Sequence, residues 1–277
     1  MTWRRIMKRI RKRKTQPKEL ADYIRQNPES AETHTWDSFR DSCPSGLKAV
    51  RQALSEDQGG LCAYCELELI PKFDFRVSHF HPKRAKGEEK CHKWELCWEN
   101  MHGACNGGTA LYYLKPERFV ASKSDVDQHC DVVLGNEVLD DVILNPLLIP
   151  AFPRLFKYEE RTLGAGQTGL AIEIEKDACA DVVYRDAKDC VDRAQETIER
   201  LHLNSGNLMA MRQATYEEIK NQIARSVASG ISLPEAMKQL SEKVFSKKGQ
   251  WPEFFTVWRW ALRDKAEQTL QSLGFNG

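Results

Sequence analysis

Two thiols separated by two residues, Cys62 and Cys65, stand fourteen residues upstream of His79 and His81 in Ser78-His79-Phe80-His81-Pro82-Lys83. No other feature of the chain narrows its possible folds as far. A Cys-x-x-Cys turn closes on a metal, on a disulfide partner or on nothing, and each outcome needs a different scaffold. Nine cysteines behind an N-terminus that carries charge but no apolar signal core fit thiolates and buried thiols better than disulfides. A redox role needs a parallel β-α-β pattern around the pair, and none surrounds it. Structural zinc remains, with four tetrahedral ligands delivered as two close pairs. Cys62 and Cys65 are the first pair; Cys105 and Cys130 are candidates for the second, whereas Cys91 and Cys97 flank Trp94 and Leu96 and read as bystanders.

The 277 residues suffice for one large domain or two modest ones, and 41% hydrophobic content can fill a core. No apolar run reaches the ~20 residues that span a bilayer, so a cytoplasmic protein without membrane contact is expected. The net charge of +1 hides an uneven distribution. Residues 1–18 hold nine Lys or Arg and no acid, leaving 32 basic against 40 acidic residues elsewhere. Such an arm suits phosphate or an acidic partner; a solvated, frayed terminus suits it equally.

Helical spacing places Leu47, Val50 and Leu54 on one face of a helix over 47–58, ended by Gly59-Gly60. Residues 66–82 predict a two-stranded ribbon around Pro71, with Arg76–Phe80 as its second strand, and Trp94–Ala104 predicts a short helix. The stretch 84–93 reads as a charged loop and 121–136 as a polar one. Beyond Pro146, alternation of Leu170, Ile172 and Ile174 predicts a hairpin, followed by helices over 186–203, 207–229, 233–246 and 253–273. Trp251, Trp258 and Trp260 read as core or partner surface rather than as a base-stacking platform.

Cys62-x-x-Cys65, Ser78-His79-Phe80-His81-Pro82, Asn100-Met101, Cys105-Asn-Gly-Gly and His129-Cys130-Asp131 together resemble an HNH endonuclease. The similarity is to the branch that includes the nuclease subunit of Septu anti-phage defence systems, also found with retrons. Thr35-Trp36-x-x-Phe39, Leu144-Asn145-Pro146 and the run 198–214 agree with that branch. The resemblance implies an α+β, mainly helical fold: a ββα-metal nuclease core with a structural zinc knuckle and a helical C-terminal region. It divides the chain into a basic arm (1–18), a nuclease domain (19–150) and a hairpin with partner-binding helices (151–277).

By the same resemblance, Cys62, Cys65, Cys105 and Cys130 hold zinc, His79 is the general base and Asn100 braces its loop. Asp131 takes the place of the residue that binds a catalytic Mg²⁺ or Mn²⁺. Ser78 stands where an acid is common, and a hydroxyl is a poorer ligand for a hard cation than a carboxylate. His81 or His129 are candidates to compensate. Lys83 and Arg84 are candidate phosphate contacts, although an exposed loop explains them nearly as well. The implied partners are DNA, an SMC-like ATPase, and a retron reverse transcriptase with its msDNA. Two rival functions stay open: a zinc-held nucleic-acid-binding or scaffold module without cleavage, and an HNH ribonuclease acting on tRNA.

Overall fold

The computed structural model describes residues 8–71, 73–84, 94–109, 127–184, 190–246 and 249–277. Cys91, His92 and nearly all of the expected charged loop lie outside these residues. Among the described residues the chain is mixed: helices surround two small antiparallel sheets. No described helix is long and apolar enough to cross a membrane.

The first sheet pairs β1 (Arg76–His79) with β2 (Met101–Ala104) in the register Arg76↔Ala104 to His79↔Met101. This differs from the ribbon expected within 66–82: among the described residues before β1 there are isolated bridges, Leu61↔Glu68 and Ile70↔Asp74. The partner strand comes from the segment expected to be a helix, in which 3-10 turns form at Trp94 and at Trp98–Asn100. All four β2 residues are buried, so each backbone group there needs a ladder or side-chain partner in place of water.

Three helices precede this ribbon: α3 (Pro44–Gln58) packs on β2, and α1 (Lys18–Gln26) and α2 (Trp36–Ser42) pack on α3. Thr35 caps α2 by accepting from the Ser38 N–H, and Pro44 opens α3 where a missing N–H costs nothing. Gly59 ends α3 in the left-handed conformation (φ 66°), and a side chain there would meet the Trp251 indole at 2.1 Å, so only glycine fits. At the last position of α3, Gln58 clasps β2. Its Oε1 accepts from the Gly103 N–H (2.7 Å), and its Nε2 donates to the carbonyls of Gly103 (2.8 Å) and Leu61 (2.7 Å).

A one-turn helix, α4 (Asp131–Leu134), follows the last cysteine of the Cys-rich region. The expected hairpin is present as β3 (Phe156–Thr162) and β4 (Thr168–Ile174). After it come α5 (Lys176–Ala180), α6 (Cys190–Arg200), α7 (Gly206–Ala228), α8 (Leu233–Phe245), α9 (Phe255–Ala261) and α10 (Arg263–Ser272). The helix expected over 253–273 is therefore two, broken where Arg263 takes φ +52°. One continuous core joins both halves of the chain, from Ile10 and Leu54 through Leu170 and Leu208 to Leu270. Buried Glu66 crosses the same divide, accepting from the Lys8 N–H and from the N–H and hydroxyl of Thr256.

Candidate metal centre and active site

The tight turn after Leu61 presents Cys62 and Cys65, the segment after β2 presents Cys105, and Cys130 precedes α4. All four are buried, and their Sγ atoms lie within 4.8 Å of one another. The separations Cys62–Cys130 (3.9 Å) and Cys65–Cys105 (3.6 Å) match a tetrahedral S₄ site. Such a site with metal–sulfur bonds of ~2.3 Å has edges of about 3.8 Å. Soft donors, burial and edge length all fit zinc. Burial opposes ionisation of Cys65, but the S–H groups of Cys105, Cys130 and Cys62 around it hold its pKa well below the ordinary thiol value. Burial and the neighbouring thiols push Cys130 well above it. Sulfurs packed this way cannot all ionise without a cation to hold them.

Gly107 and the C-terminal half complete the cluster. Gly107 (φ +58°) lies so close to the Cys130 segment that a Cβ would strike the His129 carbonyl at 2.3 Å, while its own carbonyl accepts from the His129 N–H (3.1 Å). The Cys130 N–H donates to Leu201 (2.9 Å), which fastens the fourth ligand to the end of α6. Arg212, buried on α7, donates from Nη1 to the Leu203 carbonyl (2.6 Å), while its Nη2 has no hydrogen-bond partner among the described residues. With Cys65, Glu66 and Tyr158 it lines a cavity of about 10 Å³, room for one water. Burial lowers the Arg212 pKa, and Tyr158, Cys65, Glu66 and Cys130 pull it back up. Four thiolates on Zn²⁺ carry two net negative charges, so a buried guanidinium beside them is electrostatically complementary. Neither Gly107 nor Arg212 announces this role in the sequence.

The ribbon carries the histidines. Neighbouring strand positions project to opposite faces, and β1 uses both. On one face the Ser78 hydroxyl lies 2.5 Å from Asp131 Oδ1 and 3.1 Å from the Tyr64 hydroxyl, and Arg76 Nε lies 3.7 Å from Asp131 Oδ2. On the other face His79 packs edge-on against Trp36 (ring centroids 5.2 Å), and its Nε2 meets the Glu95 carbonyl at 2.8 Å. A carbonyl only accepts, so Nε2 carries the proton and Nδ1 keeps its lone pair. His79 is 8% exposed, and burial pushes its pKa down to about 3, against the Glu95 hydrogen bond that raises it.

Asn100 grips the backbone just past His79. Its Oδ1 accepts from the His81 N–H (2.7 Å), and its Nδ2 donates to the carbonyls of His81 and Trp94 (2.9 Å each). His81 lies against the Trp94 ring (4.8 Å), with Nδ1 3.1 Å from Asp140. His129 sits on the zinc side, its Nδ1 donating to the Asp127 carbonyl. Lys83 and Arg84 both face Asp37, at 3.6 and 3.4 Å. The structure thus brings together the four sulfurs, Ser78 with Asp131, and Asn100 with the His79–His81 loop. It holds His79 and Asp131 on opposite faces of β1. For a hard cation the Ser78–Asp131 pair offers one carboxylate and one hydroxyl, which fits Mg²⁺ only if water and phosphate supply the other ligands.

No family model matches this chain. It is 36% identical over 106 residues to an Escherichia coli protein named "Retron Ec83 putative HNH endonuclease"; the match covers 37% of this chain and 39% of that relative.

Proposed function

We propose that this chain is a metal-dependent HNH endonuclease that cleaves DNA phosphodiester bonds in anti-phage defence. The observation that carries the reading is the held base loop. Glu95 fixes the His79 tautomer with Nδ1 free to accept a proton, and Asn100 holds the next turn by accepting from the His81 N–H and donating to the carbonyls of His81 and Trp94. His79 would take the proton from a water attacking phosphorus, and Asn100 would keep the imidazole aimed. A divalent ion bound at Asp131 and Ser78, completed by phosphate and water, would supply Lewis-acid stabilisation of charge on the phosphate. Zinc on the four cysteines would hold the ribbon to α4, since so small a sheet buries little apolar area. The partial similarity to a retron-associated HNH protein supports the same class and a retron setting. The hairpin and helices of 151–277 would then serve a partner, an SMC-like ATPase in the Septu arrangement.

The separation of His79 from Asp131 across β1 favours a second reading, a zinc-held nucleic-acid-binding module without cleavage. Plasmid nicking with added Mg²⁺ or Mn²⁺ decides between them. The nuclease predicts that His79→Ala lowers the rate by about 10²–10⁴-fold, the usual worth of a general base. Equal rates for wild type and variant, or no cleavage of plasmid and of tRNA with either ion, would leave only the binding module. Offering tRNA beside plasmid separates a ribonuclease from a deoxyribonuclease.

A further inference from the structure

Strand β2 turns one edge away from β1, and that edge is closed by side chains. The register sets His79 opposite Met101, and the Phe80 N–H donates to the Asn100 carbonyl (2.9 Å). In an antiparallel pair the alternate residues, here Met101 and Gly103, then aim their backbone groups outward. Gln58 takes both groups of Gly103 (2.7 and 2.8 Å). The Met101 N–H closes the 3-10 turn on the Trp98 carbonyl. Met101 is fully buried, so its carbonyl needs a partner other than water.

Lys12 is that partner. Its Nζ donates to the carbonyls of both Trp98 and Met101 and lies 4.0 Å from the Trp98 ring centre. The two carbonyls bracket Asn100, whose side chain holds the backbone of His81 and Trp94. The contact is reciprocal, because the Trp98 indole N–H donates to the Arg13 carbonyl (3.1 Å). On either side the arm is fixed by the Ile10 N–H on Pro146 (3.0 Å) and the Arg13 N–H on Asp57 (3.0 Å).

Drawing an ammonium out of water is costly. Burial lowers the Lys12 pKa to about 7, against the pull of Glu99, Asp57 and Cys97. Lys8 and Arg13 already anchor the arm, so this cost is offset at the turn that Lys12 holds. We propose that Lys12 is a positioning residue of the nuclease site: by fixing the carbonyls on both sides of Asn100, it seats the amide that holds the His79–His81 loop. Lys12 faces a buried strand edge rather than substrate. Its bearing on cleavage rests on the reading of His79 as the base, whereas the seating of the loop does not.

The test uses the full chain as wild type, Lys12→Met and Lys12→Arg. Amide hydrogen exchange is followed by NMR at His81, whose N–H is held by Asn100, and at Ile172, whose N–H is held by Asn204 in the C-terminal half. Lys12→Met keeps an apolar stem against Trp98 and removes the donor. It should speed exchange at His81 at least about ten-fold, the low end for losing a hydrogen bond to a charged group, and leave Ile172 unchanged. Lys12→Arg keeps charge and donors and should stay nearer wild type. In plasmid nicking with Mg²⁺ or Mn²⁺, Lys12→Met should lower kcat about ten-fold at constant KM, as expected of a group acting only through the base loop. Unchanged exchange at His81 overturns the proposal, and so does equal acceleration at Ile172, which makes Lys12 a general anchor. A raised KM at constant kcat makes it a phosphate contact and overturns the proposal as well. If wild type does not nick, the nuclease reading fails, and the exchange comparison still decides whether Lys12 seats the loop. Should Lys12→Met not fold, Lys12→Gln, with a shorter neutral donor, carries the same comparison.

Discussion

At the scale of the residue, His79 shows how one environment sets both proton and orientation. Its Nε2–H is fixed on a carbonyl, and burial keeps the ring neutral. Because the folded pKa, about 3, lies below the ordinary 6.5, the unfolded chain binds the extra proton between these values. Stability from this group is therefore complete above about pH 6.5 and is lost as pH falls toward 3, on the order of 1–3 kcal/mol by pH 4. His102, buried on β2, is shifted the same way by burial. The urea midpoint should drop between pH 7 and pH 4, and less steeply in His79→Gln; a flat wild-type profile would contradict a buried neutral imidazole. Asn100→Ala should cut nicking about 100-fold while zinc content stays unchanged, since it frees the base loop alone. Arg212→Met should shed zinc to a chelator several-fold faster than Arg212→Lys, which keeps the charge beside Cys65.

Elements with a strong local period were legible in the sequence. The alternation at Leu170, Ile172 and Ile174 gave the hairpin, and helices α7 and α8 begin and end within one residue of their predicted limits. The Cys-x-x-Cys turn pointed to a knuckle, and the two distant thiols 105 and 130 do meet it. Strand β2 was illegible because Met101-His102-Gly103-Ala104 is buried on both faces and so shows no alternation. The break at Arg263 was illegible because helical spacing continues across it. Gly107 is one of two adjacent glycines whose need the sequence does not reveal, and the close His129 carbonyl makes it a structural requirement of the cysteine cluster. Gly107→Ala should displace Cys130 and lower bound zinc below one ion per chain, read by metal analysis, whereas Gly135→Ala, with open space around its Cβ position but a similar φ, should keep it.

At the scale of the whole molecule, the basic arm is partly internal. Lys8 donates from its backbone N–H to Glu66 and from Nζ to the Gln58 carbonyl (3.0 Å each). Lys12 reaches the carbonyls of Trp98 and Met101, and Arg13 pairs with Glu56 and Asp57. These contacts tie the arm to α3 and to the strand opposite His79, which leaves fewer of its charges for phosphate. Deleting residues 8–14 should lower the melting temperature by at least about 5 °C, given ~2 kcal/mol of lost buried contacts. An unchanged melting temperature would restore the free-arm picture. The four sulfurs also straddle the His79–His81 loop in sequence, two before β1 and two after β2. A ribosome adding ~5–20 residues per second needs several seconds to pass from codon 65 to codon 130. For most of that interval the nascent chain carries His79 without the complete set of four sulfurs, so closing the cluster would set when the loop is seated. Protease protection of stalled nascent chains should become zinc-dependent only once residue 130 has cleared the exit tunnel.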